Sequence, residues 1–170
     1  GVVEMERSNI AERSSKLFPF SGIYSASKNL IDLEKNKKID QHVNLVSLFW
    51  DTVGDNMDQW RGVRIGNLSA TEVRRDYIHT HVIILQALGM AGKDLMSQFP
   101  NNWKTKIKNL KKINWLKNNP EWHQRVIVNG RVVKNSNSII LAANLIKKAL
   151  GVRLSVKEKA LESKMKKNVK

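Results

Sequence analysis

Apolar side chains recur at helical spacing over the first third of the chain. One pattern begins near Ser21 and places an apolar residue at every third or fourth position, at Ile23, Ala26, Leu30 and Leu33. The lysine and asparagine run at 35–38 then interrupts it. A second pattern follows Asp40, a suitable N-cap residue, and reaches Gly54. We therefore predict two amphipathic helices, preceded at residues 1–16 by a polar lead-in or a short helix.

The strongest helical signal begins after a polar segment at residues 55–68, which we predict to be a connecting loop. Ser69 and Glu72 have the spacing of a capping box, in which each side chain bonds the other residue's backbone N–H. This box opens a predicted helix over residues 70–88. Gly89 follows directly and is predicted to end that helix, because glycine is the usual residue just after a helix C-terminus.

A lysine-rich helix is predicted to begin at Asn102, its N-cap, and to continue through Leu116. Its apolar positions form one stripe, composed of Trp103, Ile107, Leu110 and Ile113. Several lysines must then lie off this stripe, namely Lys104, Lys108, Lys111 and Lys112. The pattern indicates a helix with an apolar inner face and a cationic outer face.

A single β-hairpin interrupts the helical patterns. Residues 126–133 are two β-branched runs on either side of Asn129 and Gly130, the pair preferred in two-residue hairpin turns. We find no internal repeat and no change of composition that requires two domains. The predicted fold class is mainly α, a single helical domain over residues 1–170 with one small β-hairpin near 125–134.

Two further helices are predicted after the hairpin. Ser136 or Asn137 can cap the first of these helices. Its apolar residues keep helical spacing until Gly151, where we predict that it ends. Ser155 and Glu158 form a second capping box and open a last, basic helix. These signals complete the predicted succession of helices.

Charge is distributed unevenly between two parts of the chain. Of its 30 lysines and arginines and 15 acidic residues, residues 1–92 hold 11 basic and 11 acidic side chains. Residues 93–170 hold 19 basic and 4 acidic side chains, so the whole net charge of +15 belongs to this part. We expect a charge-neutral half at 1–92, which supplies most of the core and a self-association surface, and a basic half at 93–170.

A surface with this excess of one charge is typical of proteins that bind a polyanion, because each lysine or arginine on a phosphate releases condensed counterions. Double-stranded DNA is the leading candidate. A solubilising lysine-rich face without a specific partner is the plainer interpretation, and an anionic membrane is disfavoured because the basic helices lack a spare apolar face. The predicted DNA-contacting residues are Lys104, Lys106, Lys108, Lys111, Lys112, Lys117, Arg125, Arg131, Lys134, Lys157 and Lys159.

The chemistry that the sequence supports is limited. It contains no cysteine, which excludes disulfides and thiolate metal sites, and no glycine-rich phosphate loop. His79 and His81 would point about 200° apart on a helix and could not share a metal. We expect one packed and one surface histidine, no cofactor and no catalytic site. Trp50, Trp60 and Trp103 are expected in the core, whereas Trp115 or Trp122 could stack on an unpaired base.

Several short segments resemble, in order and over nearly the entire chain, the C-terminal half of the DndB family. They are Arg13-Ser-Ser-Lys-Leu-Phe18, Arg75-Asp-Tyr-Ile-His-Thr-His81, Leu85-Gln-Ala-Leu-Gly89, Ile113-Asn-Trp115, Trp122, Asn129-Gly-Arg131 and Ile146-Lys-Lys-Ala-Leu-Gly151. The resemblance implies a DGQHR-domain protein of DNA phosphorothioate modification, a regulator that represses the modification genes by binding their promoter. The DGQHR signature, which defines the N-terminal half of the family, does not occur in this sequence. Any activity or promoter contact of that half is therefore not assigned to these residues.

We therefore expect a cytoplasmic DNA-binding repressor with promoter DNA as its partner. A homo-oligomer and contacts with other DNA sulfur modification proteins are further expectations. Two alternatives stay open. One is a nucleotide- or DNA-processing enzyme whose active site lies in a preceding N-terminal half, and the other is an assembly scaffold that binds an acidic protein of the modification machinery.

Overall fold

The computed structural model describes residues 1–31 and 39–167, and the helix stop predicted at 35–38 lies outside them. The described residues confirm a mainly α fold with a small hairpin. The helices are α1 (Phe20–Leu30), α2 (Ile39–Asp55), α3 (Asp58–Arg64), α4 (Ala70–Asp76), α5 (Val82–Gln98), α6 (Trp103–Ile107), α7 (Ser136–Leu150) and α8 (Val156–Lys167). The strands are β1 (Val3–Glu4), β2 (Phe18–Pro19), β3 (Ile127–Val128) and β4 (Arg131–Val132), and 3-10 helices occupy Ile78–Thr80, Lys108–Lys112 and Pro120–Trp122. No helix of the described ranges is long and apolar enough to cross a membrane.

Helices α1 and α5 form the centre of the fold and run in the same direction. Their closest contacts follow the same order along both helices: Gly22 near the start of α1 lies against Val82 at the start of α5, and Ala26 lies against Gly89 further along. The Asn29 side-chain amide also donates to a backbone carbonyl of α5. A helix pair this close needs small residues in the contact, and glycine or alanine occupies three of these four positions.

Helix α7 lies parallel to α5 on another side. Near its start, Ile139 lines a cavity together with Ile83 of α5. Near its end, the Lys147 ammonium lies 2.5 Å from an Asp94 carboxylate oxygen of α5. Helices α1, α5 and α7 therefore have their N-terminal ends at one end of the molecule and their C-terminal ends at the other.

Gly89 lies in the middle of α5, so the prediction that it ends a helix is wrong. A methyl group at Gly89 would lie 2.1 Å from the Ala26 carbonyl oxygen. The glycine therefore serves the close contact with α1 rather than a left-handed cap. Helix α5 instead ends at Gln98, two residues before Pro100.

The predicted helix over 70–88 begins as expected but is interrupted. The Ser69 hydroxyl accepts from the Glu72 backbone N–H at 3.5 Å, which confirms the N-cap. Helix α4 then ends at Asp76, because the next residues pair with a distant segment. The Ile78 N–H donates to the Trp115 carbonyl, and the Lys117 N–H donates to the Asp76 carbonyl, both at 2.9 Å. These bonds between distant segments replace helical bonds at this point.

The segment predicted as a loop at residues 55–68 contains helix α3, so that prediction is wrong in part. Trp60 is on α3 and is 5% exposed, as expected of a side chain folded onto the core. Its burial against Phe18, with ring centroids 4.6 Å apart, supplies the packing that makes a short helix stable here. Residues 65–69 form the remaining connection to α4.

The N-terminal segment contains no helix before α1. Strand β1 instead pairs in parallel with β2, Val3 lying opposite Phe18. The Arg74 guanidinium of α4 holds the segment between these strands, because it donates to the Ser14 carbonyl at 2.8 Å and to three other backbone carbonyls. Arg74, which no pattern in the sequence indicated, therefore anchors this part of the chain.

The lysine-rich helix is shorter than predicted. Its first turns are α6 and the 3-10 helix Lys108–Lys112, and Asn102 makes no side-chain cap bond. From Ile113 the chain is extended, because it must reach Tyr77 to form the backbone pairing described above. The predicted apolar stripe is nevertheless buried, from Trp103 to Ile113.

The hairpin and the last two helices agree closely with the sequence signals. Asn129 and Gly130 have φ values of 51° and 73°, as a two-residue turn of this kind requires. Helix α7 is capped by Asn135, one residue before the predicted cap, and ends at Gly151 in the left-handed region. The second capping box opens α8, with the Ser155 N–H donating to the Glu158 carboxylate at 2.8 Å.

A buried aromatic cluster surrounds His79. The Trp60 indole N–H donates to the His79 Nδ1 atom at 3.0 Å, and the His79 Nε2 atom lies 3.3 Å from the Gln59 side-chain oxygen. Tyr77 stacks on the imidazole, and Trp115 meets it edge to face. Because Nδ1 accepts a hydrogen bond, the proton of the neutral ring must be on Nε2.

We expect His79 to make the fold sensitive to acid. Burial, followed by the nearby His81, lowers the pKa of His79 to about 3. Between pH about 6.5 and that value the unfolded chain binds a proton that the folded chain does not, so stability falls as the pH falls. The decrease in the free energy of unfolding that His79 causes approaches about 1.4 kcal/mol per pH unit in this range.

The measurement is urea unfolding at a series of pH values for the wild type and for His79→Gln. The variant should be less stable at neutral pH, because it loses the aromatic packing, yet its stability should depend less on pH below about 6.5. Equal pH dependence of the two proteins would show that His79 is not the titrating group.

Candidate nucleic-acid interface

The outer face of α6 and of the 3-10 helix after it carries a concentrated set of lysines. The inner face is fixed by Trp103, Ile107 and Leu110, all of them buried. Because these anchors follow helical spacing, the intervening side chains must point outward. We call the resulting set the lysine surface; it consists of Lys104, Lys106, Lys108, Lys111 and Lys112, of which all but Lys106 are exposed.

Lys106 connects this surface to the C-terminal end of α7. Its ammonium lies 3.9 Å from the centre of the Phe99 ring and next to Gly151, which follows the last turn of α7. A cation is stabilised there by the partial negative charge of the helix C-terminus. Arg153 is fixed nearby, because its backbone N–H donates to the Gln98 side chain at 2.9 Å. Arg153 is not among the residues predicted from the sequence to contact DNA, although its charge and its position after α7 could have indicated it.

Few carboxylates neutralise the lysine surface. Lys111 lies 3.5 Å from an Asp58 carboxylate oxygen, in an exposed pair that contributes little to stability. For Lys104, Lys108 and Lys112 there is no ion pair within residues 1–31 and 39–167. The uncompensated charge of these side chains is therefore available to an anionic ligand.

Lys117 and Lys134 lie together at another place, near His81. The Lys117 ammonium donates to the Arg74 carbonyl at 2.8 Å, and burial lowers its pKa. The pKa of His81 is lowered to about 4, first by burial and then by the charges of Lys117 and Lys134. His79 is fully buried, as expected of the packed histidine, but His81 is half-buried with its Nε2 atom away from solvent and is not the surface histidine that we expected.

Arg125 does not lie on an exposed surface. Its guanidinium bonds both carboxylate oxygens of Glu162 on α8, one of them at 2.9 Å, and the residue is 7% exposed. Burial would raise the pKa of Glu162, but hydrogen bonds from Arg125 and Lys148 outweigh it and lower that pKa to about 2. In this arrangement Arg125 holds α8 on the body of the protein and is not placed to touch DNA.

The remaining predicted contacts lie on separate elements. Arg131 is exposed on strand β4, next to the hairpin turn. Lys157 and Lys159 are exposed on α8, whose inner side is bound to α7 through ion pairs of Glu158 with Lys147 and of Glu162 with Lys148. The structure therefore places four of the eleven predicted residues, Lys104, Lys108, Lys111 and Lys112, on one exposed helical face and Lys106 at the side of it, against Phe99, and it distributes the others.

The tryptophans do not offer platforms for stacking on bases. Trp115 and Trp122 stack on each other with ring centroids 5.5 Å apart, and both are buried. Trp50 is partly buried, and its indole N–H donates to Ser27. Within the described part of the chain no group of three or more histidines and carboxylates could hold a metal ion. Charge, rather than aromatic stacking or metal chemistry, distinguishes this surface.

Comparison with known proteins agrees with the segment resemblance. The model of the DndB family, described as DNA-sulfur modification-associated, matches residues 1–153. The chain belongs to the DndB family. Membership associates it with DNA sulfur modification, and the matched residues include the lysine surface and α7 but not α8. No curated protein and no solved structure matches this DndB-family chain.

Proposed function

We propose that this DndB-family protein is a DNA-binding transcriptional regulator that represses the phosphorothioate modification genes, and that it binds rather than catalyses. The observation that carries the proposal is the lysine surface, where Lys104, Lys108 and Lys112 are exposed on one helical face and no carboxylate of the described residues pairs with them. A family associated with DNA modification has duplex DNA as the natural polyanion for such a face.

The contacts are made to phosphates. A lysine presents a flexible point charge that suits a phosphate oxygen, whereas reading bases in the major groove usually needs bidentate side chains. The lysine surface contains only lysines, so it supplies affinity and position on the duplex but little discrimination between sequences. Promoter recognition then requires a second subunit or other residues of the full protein.

Removing two of these lysines should weaken DNA binding in a way that depends on salt. For Lys108→Gln with Lys112→Gln, we expect the slope of log affinity against log salt concentration to become shallower by about 2, because each phosphate contact contributes about 0.9. Fluorescence anisotropy with a labelled promoter duplex and with a scrambled duplex measures this slope. Both duplexes should be affected equally.

The matched control is Arg7→Gln with Arg13→Gln, which removes the same charge from exposed positions of the charge-neutral half. Its slope should equal that of the wild type. If the two double variants lose affinity equally, net charge rather than the lysine surface determines binding. If the wild type binds neither duplex at low salt, the proposal is wrong and an acidic protein partner of the lysine surface becomes the better explanation.

A further inference from the structure

A cavity of about 240 Å³ opens beside the lysine surface, where residues of α3 meet the backbone pairing of Tyr77 with Leu116. Lys111 belongs both to the lysine surface and to the wall of this cavity. Its ammonium pairs with Asp58, another residue of the wall, and both side chains are exposed. A DNA strand held on the lysine surface therefore comes within reach of the cavity.

Three amide side chains line this cavity, and each of them has one end bound to the protein. The Gln59 oxygen accepts from His79, whose neutral ring carries its proton on Nε2, at 3.3 Å. The Asn114 oxygen accepts from a backbone N–H two residues later at 3.1 Å. The Asn56 amino group donates to a backbone carbonyl of α2 at 2.9 Å. These bonds determine which way round each amide lies.

The other ends of the three amides are two donors and one acceptor. Among the described residues, the amino groups of Gln59 and Asn114 have no acceptor and the Asn56 oxygen has no donor. The nearby backbone is less available, because the carbonyls of Asn114 and Trp115 already accept hydrogen bonds from the protein. The amides are therefore the groups that a ligand in the cavity would meet.

The cavity also has an apolar wall. Met57, Ile113 and Trp115 contribute to it, and all three are buried, so the wall is held in place by the core. The volume lies below the roughly 300 Å³ at which pockets for drug-sized molecules begin, so it suits one small flat ring system. A nucleobase matches this lining, because its faces are apolar and its edge carries both donors and acceptors.

We propose that this cavity binds a single nucleobase, which Gln59, Asn114 and Asn56 hold by its edge. The base can belong to a DNA strand on the lysine surface or to a free nucleoside. For a base within DNA the inference rests on the proposed function, and it adds recognition of a base to phosphate contacts that do not distinguish sequences. A nucleoside carries no phosphate, so its binding does not depend on the lysine surface.

Fluorescence anisotropy with two short single strands of equal length tests the inference. Single strands are used because a base in a duplex must leave the stack before it can enter a pocket. One strand carries all four bases and the other is abasic throughout, so that the two differ in bases and not in phosphates. The full chain should bind the strand with bases about tenfold more tightly, as one base held by its edge would give.

Substitutions in the amides should remove this preference. Gln59→Met keeps the length of the side chain but loses its amino group, and it should bind both strands as the wild type binds the abasic one. Asn114→Asp keeps the oxygen that accepts the backbone N–H and loses the donor, so the ratio of the two affinities should fall as well. Asn114 is exposed, which makes this second variant tolerable to the fold.

Two control variants should keep the preference. Lys108→Gln with Lys112→Gln should weaken the binding of both strands by the same factor, because it removes phosphate contacts only. Gln41→Met makes the same substitution at an exposed position of α2 that does not line the cavity, and it should behave as the wild type.

Thermal unfolding with each of the four deoxynucleosides separates the two sources of the base. A rise in Tm that deoxyribose does not cause, and that Gln59→Met abolishes, identifies a free nucleoside as a ligand. A preference for the strand with bases, without such a rise, identifies a base within DNA. If neither strand binds at low salt, the proposed function fails and the rise in Tm alone decides the inference. The inference is overturned if no deoxynucleoside raises Tm and the strand with bases binds no better than the abasic strand. It is also overturned if Gln59→Met and Asn114→Asp retain whichever effect the wild type shows.

Discussion

Replacing Glu162 with alanine is expected to lower the free energy of unfolding by about 3–5 kcal/mol. Glu162 is 5% exposed and accepts hydrogen bonds from Arg125, from Lys148 at 2.6 Å and from Asn144 at 3.3 Å. The substitution leaves the Arg125 guanidinium buried, and the Leu141 carbonyl is then its only acceptor among the described residues. A buried charge without its counter-ion is among the most costly defects in a protein interior.

Urea unfolding measures this loss, and a second variant separates the charge from the packing. Arg125→Met combined with Glu162→Leu removes both charges and fills similar volume, so it should recover most of the lost stability. The exposed Glu121→Ala serves as a control and should change stability by no more than about 0.5 kcal/mol. If Glu162→Ala costs as little as Glu121→Ala, α8 is not held by this ion pair.

Replacing Gly89 with alanine is expected to destabilise the protein by about 3 kcal/mol, although alanine is the better helix former. The added methyl group would lie 2.1 Å from the Ala26 carbonyl oxygen and 3.1 Å from its carbon. Backbone atoms of a central helix cannot move aside as a flexible side chain can. Helices α1 and α5 would have to separate, which loses packing along the whole contact.

A second glycine-to-alanine change gives the opposite sign and serves as the control. Gly54 is in the last turn of α2. Apart from its chain neighbours and the nearby backbone of α2, no described atom lies within 4 Å of an added methyl group, so Gly54→Ala should stabilise the protein by up to about 1 kcal/mol. Thermal unfolding of both variants measures the contrast. Stabilisation by both substitutions would contradict the close packing of α1 on α5.

Local signals in the sequence were sufficient where the structure is determined locally. The Asn129 and Gly130 turn, the capping box at Ser155 and the left-handed stop at Gly151 all form as predicted. In each case the residues that determine the conformation lie within a few positions of one another. The buried stripe of α6 was predictable for the same reason, since helical spacing alone determines its face.

Contacts between distant residues account for the predictions that were wrong. The interruption of the helix at Tyr77 depends on backbone pairing with Leu116, which no local pattern indicates. Glycine often follows the last turn of a helix, but Gly89 instead allows the close contact of α5 with Ala26 on another helix. Helix α3 has few apolar positions and gains its stability from Trp60 in the core.

In the candidate site too, local features were predictable from the sequence and contacts between distant residues were not. The sequence located the excess charge, and the exposed face of α6 followed from the spacing of its apolar residues. It did not reveal that Arg125 is buried, because its partner Glu162 is 37 residues away. It also missed Arg153, whose place beside the lysine surface depends on the contact of Gln98 with the residues after α7.

Lysine acetylation, mapped by mass spectrometry with and without a saturating promoter duplex, tests the DNA interface most directly. We expect the duplex to reduce the reactivity of Lys104, Lys108 and Lys112 and to leave that of the exposed Lys28 unchanged. Unchanged reactivity of all three lysines, under conditions where anisotropy shows that the duplex is bound, would contradict the assignment of DNA binding to the lysine surface.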